Sequence, residues 1–148
     1  IVISLTDVTQ AAELIARATF ARSSSEFDTL VASLDVGILR PIDPTRTPQE
    51  FLHQSFNSTE FLDHALAHTS GTTVLHLAKE AVPNYQMLVP DSAVLACFQG
   101  ITGPMRDRVF RIEEENQTLA TLRDTLLPKL MSGELRVGAA REQVEEVV

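Results

Sequence analysis

Apolar residues at positions 1, 3 and 5 alternate against Ser4, a strand-like start. Thr6 or Asp7 is placed to cap a helix through about Arg17, with Ala11, Leu14 and Ile15 on one face. Residues 21–26 are polar and turn-prone, and Phe27 to Leu39 is apolar enough for one or two strands. Pro41, Pro44 and Pro48 then impose a loop. Thr47-Pro48-Gln49-Glu50 reads as a helix start, with Thr47 as N-cap and Phe51, Leu52 and Phe56 as the apolar face. A second helix opens at Ser58 and turns Phe61, Leu62, Ala65 and Leu66 to the core, and Ser70-Gly71 ends it. Residues 72–81 suggest a short loop and partial helix, and Tyr85–Val89 a strand stopped by Pro90. Asp91-Ser92 begins another helix, running at least to Phe98, before Gly100, Gly103 and Pro104 punctuate the chain.

From about Met105 to Leu130 the pattern is that of one long helix. Val109, Ile112, Leu119, Leu122 and Leu126 form a stripe close to a 3.5-residue repeat, with Glu115 standing where another apolar residue would fit. This is a coiled-coil-like seam two to three heptads long. Ser132-Gly133 ends it, and residues 134–148 read as a short, polar, mobile tail. The expected fold is α+β: a domain over 1–104, a spacer helix over 105–133 and a tail over 134–148. An amphipathic helix of this kind must bury its stripe on its own domain, on a partner, or on another part of the chain.

Length and composition narrow the class. A chain of 148 residues with 44% hydrophobic content can bury a core without disulfide or metal staples. Cys97 is the lone cysteine, which excludes an internal disulfide and Cys-rich zinc modules; its apolar neighbours suggest a buried thiol. No apolar run approaches the roughly 18 residues of a membrane span, and no signal peptide is visible, so a cytoplasmic location is expected. A start at Ile1 rather than Met is expected of a fragment, a processed chain or a partly ordered one. Twelve Lys and Arg face twenty Asp and Glu, a formal net charge of -8. Residues 1–105 hold 5 basic and 11 acidic side chains (net -6), and residues 106–148 hold 7 and 9 (net -2). That balance argues against a freestanding, charge-driven nucleic-acid binder.

Little in the chain suggests catalysis. His64 and His68 stand four apart on one helix, but no third metal ligand or His-Glu-x-x-His pattern accompanies them. Ser23, Ser24 and Ser25 lack a nucleophile-elbow context. Gly100-x-x-Gly103-Pro104 lacks the lysine and spacing of a phosphate loop, and Glu113-Glu114-Glu115 reads as a solvated helix face. No catalytic centre, metal or cofactor is therefore expected. Ser70-Gly71-Thr72-Thr73, followed by His76 and Lys79, is a small-residue loop with two longer polar side chains. Such a loop suits phosphate and base-edge contacts, and equally suits an ordinary helix cap.

The most specific text is Glu115-Asn116-Gln117-Thr118-Leu119-Ala120-Thr121-Leu122-Arg123-Asp124-Thr125-Leu126-Leu127-Pro128-Lys129-Leu130-Met131-Ser132-Gly133-Glu134-Leu135-Arg136-Val137. It closely resembles the C-terminal conserved region of type I restriction–modification specificity subunits. The tail from Glu142 to Val148 resembles the end of such subunits. Upstream, Ser23–Phe27, the helix pair from Phe51 to His68, Ser70–Thr73 and the segment ending Leu88-Val89-Pro90 follow the order of the latter half of a target recognition domain. Two features depart from the family. Pro90-Asp91-Ser92-Ala93-Val94-Leu95 stands where a Pro-Pro-Leu-x-x-Gln element is usual, and this chain holds at most one recognition domain and one conserved helix.

The resemblance implies a non-catalytic DNA-reading subunit. In this family each recognition domain reads one half of a split target in double-stranded DNA. The conserved helices pair antiparallel as a ruler and dock the methyltransferase (M) subunits. Methyl transfer and cleavage belong to the M and restriction (R) subunits. By position, Ile112, Leu119, Leu122 and Leu126 would form the seam, with Arg123 and Asp124 flanking it, and the mate would be a second conserved helix or another copy of the chain. DNA contact is expected from Thr72, Thr73, His76 and Lys79, and from Arg22, Ser23, Ser24 and Ser25. The alternative of another class is a pure interaction module, in which the helix dimerises and the domain no longer reads DNA.

Overall fold

The computed structural model describes residues 1–9, 11–23 and 27–145, excepting the side chain of residue 143. It is α+β and ends in long helical structure. Its strands are β1 (Val2–Ser4), β2 (Thr6–Asp7), β3 (Ala18–Thr19), β4 (Val36–Ile38), β5 (Thr69–Ser70) and β6 (Leu75–Leu77). Its helices are α1 (Gln49–Ser55), α2 (Thr59–Ala67), α3 (Ser92–Met131) and α4 (Val137–Glu145). The chain divides into two compact units, 1–102 and 103–148.

In the first unit one extended run, residues 2–7, serves two antiparallel sheets. β1 is the centre of β3-β1-β4, and β2 is an edge of β2-β6-β5. Leu5 joins them: its N–H donates to the Asp35 carbonyl, and its carbonyl accepts from the Leu77 N–H at 2.8 Å. The core beneath holds Ile3, Ile15, Ala18, Leu52, Phe56, Phe61, Ala65 and Leu77. Phe61 is fully buried and meets Phe56 and Tyr85 edge-on, with centroids 4.7 and 4.9 Å apart. Aromatic pairs prefer such geometry to a face-to-face sandwich.

The helix starts follow local chemistry, with one substitution of roles. The Ser58 hydroxyl accepts the Phe61 N–H at 3.2 Å and caps α2. Asp91 accepts the N–H groups of Ala93 and Val94 and caps α3. Thr47 does not cap α1, because its hydroxyl donates to the Asp43 carbonyl at 2.9 Å, and Pro48 takes the N-cap position. Asn57 does more than interrupt two helices. Its amide accepts the Ala18 N–H and donates to the Ala18 and His53 carbonyls, tying β3 to the α1–α2 turn.

Several expected elements differ. The described residues of 8–17 form no helix. Asp7 gathers their N–H groups, and the returning chain pairs with β1 through Ala16 N–H to the Ser4 carbonyl and Ser4 N–H to the Arg17 carbonyl. Long-range pairing thus overrides local helix propensity. In 27–39 only Val36–Ile38 is a strand. Residues 75–77 form β6 in place of a partial helix; Leu75 and Leu77 turn inward around exposed His76, the period of two that defines a strand. Tyr85–Val89 forms no ladder, and Tyr85 is spent on the aromatic core. Gly100, Gly103 and Pro104 do not end the helix. α3 runs through all three, and the boundary between compact units falls there instead. Cys97 is exposed, and Leu95, two residues before it, is the residue that α3's first turns bury. Residues 137–145 form α4 where a mobile tail was expected.

Candidate nucleic-acid interface and partner helix

β5 and β6 form a hairpin whose tip is Gly71-Thr72-Thr73-Val74. Gly71 has φ +105°, and a Cβ there would lie 2.0 Å from the Val74 carbonyl oxygen, so the turn requires glycine. Ser70 stands opposite His76 on one side, and Thr6 of β2 stands opposite it on the other. Directly opposed residues share a face. The fold therefore assembles a polar row, Ser70, His76 and Thr6, below a tip that exposes Thr72 and Thr73. Lys79 is exposed two residues past β6. Hydroxyls, an imidazole and one ammonium are the donors and acceptors used on phosphate oxygens and base edges. Thr6 escaped sequence reasoning, since only strand pairing brings it beside His76.

Arg22 and Ser23 follow β3, which belongs to the other sheet; Arg22 is half-buried and Ser23 exposed. Ser24 and Ser25 lie outside the described residues. His64 and His68 are held by backbone. A ring N–H of His64 donates from Nε2 to the Ala81 carbonyl (2.9 Å), and one of His68 from Nδ1 to the His64 carbonyl (2.8 Å). Carbonyls only accept, so these nitrogens carry the protons and are not available to a metal. Among the described residues no group of three or more His, Cys, Asp or Glu could hold a metal ion.

The seam of α3 is open at one end and closed at the other. Ile112 is 41% exposed and Leu119 42%, Leu122 is half-buried, and Leu126 is only 8% exposed. A shallow apolar groove of about 290 Å³ runs along Leu119, Leu122, Leu126 and Leu130, with Val144 of α4 on its other wall. α4 reaches that wall because Gly133, at φ +77°, stops α3, and the Leu135 N–H turns back to the Lys129 carbonyl at 3.1 Å. Beside the groove, Arg123 donates to both carboxylate oxygens of Asp124, at 2.7 and 3.1 Å. The hydrogen bond from Arg123 holds the Asp124 carboxyl below its ordinary range. The pair is exposed, so its contribution to folding is small. No helix among the described residues is long and apolar enough to cross a membrane.

No family model and no solved structure matches the chain. A curated protein does: the type I restriction enzyme MjaIX specificity subunit of Methanocaldococcus jannaschii is 33% identical over 67 residues, which cover 45% of this chain. The chain spans 16% of that protein's length in the match. That protein is a specificity subunit of a type I restriction enzyme, the same kind of protein that Glu115–Val137 resembles.

Proposed function

We propose that this chain is a DNA-recognition part of a type I restriction–modification specificity subunit, acting in the cytoplasm. Its first unit reads one half of a split duplex target, and the α3 seam pairs with a second conserved helix or another copy of the chain. The same helix docks the methyltransferase and restriction subunits, which carry out the chemistry. The observation that carries this reading is the similarity to the M. jannaschii specificity subunit. A polar hairpin face and a helix with exposed Ile112 and Leu119 support it.

Recognition follows from these parts without a catalytic group. Thr72 and Thr73 at the tip, with Ser70, His76 and Thr6 behind them, offer neutral hydrogen-bonding groups, and Lys79 adds one charge for a phosphate. Arg22 and Ser23 form a second patch, continued in sequence by Ser24 and Ser25. A second reading, an interaction module that does not read DNA, draws on the acidity of residues 1–105. Electrophoretic mobility shift with duplex DNA, with and without the methyltransferase subunit, separates the two. DNA recognition predicts a shift that depends on that subunit; no shift in either case leaves the interaction module.

A further inference from the structure

The part of the seam that a mate helix would cover is already partly occupied by this chain. Ala140 of α4 is 6% exposed, and Leu126 of α3 is 8% exposed. Val144, one turn after Ala140, lines the groove with Leu122 and Leu126. Toward the N-terminal end of the same seam, Ile112 and Leu119 are left open. We propose that α4 is a displaceable cover, an intrachain occupant that competes with the mate helix for the Leu122–Leu130 half of the seam. The proposal rests on the seam pairing proposed above.

The build of α4 suits removal. It has nine residues, shorter than the roughly 12–15 that make an isolated helix even marginal in water. Gly138 sits inside it with open space where a Cβ would be, which weakens the helix without any packing reason. Its polar face carries the Arg141–Glu145 pair, exposed on both sides. Val137 is also exposed, so Ala140 and Val144 provide its apolar grip on α3. A mate as long as residues 103–131 offers several turns of apolar contact in exchange. While α4 is down, the competent fraction is small, and the apparent affinity for the mate falls in proportion.

Two substitutions in the full chain push this equilibrium in opposite directions. Ala140→Glu places a charge in the covered contact and lifts α4. Gly138→Ala adds a Cβ into open space, strengthens α4 and holds the cover down. The probe is a fluorescently labelled synthetic peptide of residues 103–131, the helix of a second copy, followed by anisotropy. Ala140→Glu is expected to tighten peptide binding roughly tenfold, the factor for a cover closed about nine-tenths of the time. Gly138→Ala is expected to weaken it by about fivefold, from the helix preference of alanine over glycine. Val144→Glu repeats the first arm if circular dichroism shows that Ala140→Glu has lost helix beyond α4. Equal binding by all variants overturns the cover and leaves the seam pairing standing. Binding by none, Ala140→Glu included, overturns both.

Discussion

Asp7 accepts three backbone N–H groups, from Thr9, Leu14 and Ile15, at a site that leaves 2% of the residue exposed. Burial by itself would raise its carboxyl. Hydrogen bonds from the Thr9 hydroxyl and from the backbone of Thr9, Leu14 and Ile15 outweigh burial and hold it at about 2, against an ordinary 3.8. A depressed folded value means stability that is complete above the ordinary value and is lost as pH falls toward 2. Asp7→Asn is therefore expected to lower the melting temperature by several degrees at pH 7, and the gap to the parent should shrink between pH 4 and pH 2. Thermal melts followed by circular dichroism check this, and a gap independent of pH contradicts it. Lys79, exposed beside the hairpin, is the other kind of residue, one proposed to act on a partner and not on the fold. Lys79→Ala should weaken DNA binding of the assembled enzyme for every sequence and reduce the salt slope by about one or less. Asp7 was legible as a capping carboxylate, but what it caps was not. The donors lie in a loop that contains Ala12 and Ala16 at positive φ, and alanine carries no sequence signal for that conformation.

At the level of elements, helices were read better than strands, for a physical reason. Ser58 and Asp91 cap by contacts within three residues, so their sequence neighbourhood contains the whole interaction. β1 and β2 are made by partners from residue 18 to residue 77, and their ladders are two or three residues long. Periodicity in so short a segment is weak, and only the tertiary partner decides. Gly100, Gly103 and Pro104 show the reverse case, local breakers that a continuous helix absorbs. The seam gives a test at this scale. Leu126→Ala, at the covered end, should cost about 2 kcal/mol in chemical denaturation, the low end for a buried leucine because its side chain lines an open groove. Leu119→Ala, at the open end, should cost about 0.5 kcal/mol or less, as other exposed positions do. In association with a mate helix Leu119→Glu should be the damaging change. The seam itself was legible from the spacing of Ile112, Leu119 and Leu126. The graded exposure along it was not, because a polar tail gave no sign of folding back as α4.

For the molecule as a whole, charge sets the terms of function. The acidity lies mainly within residues 1–105, the part proposed to read DNA. Phosphate affinity scales with the cations a protein brings to the duplex, and this part carries 5 against 11 acidic groups. The hairpin face, Ser70, Thr72, Thr73 and His76, offers neutral donors and acceptors, and in the proposed role it would choose among sites once the duplex is held by something else. The proposed function and the charge are compatible only if partner subunits supply most of the phosphate contacts. The direct measurement is an electrophoretic shift titration on duplex DNA at physiological salt, run with the chain alone and with the methyltransferase subunit. Weak or absent binding by the chain alone, and tight binding that depends on this chain in the presence of the subunit, is the predicted result. Tight binding by the chain alone, or no dependence on the chain in the complex, would contradict it.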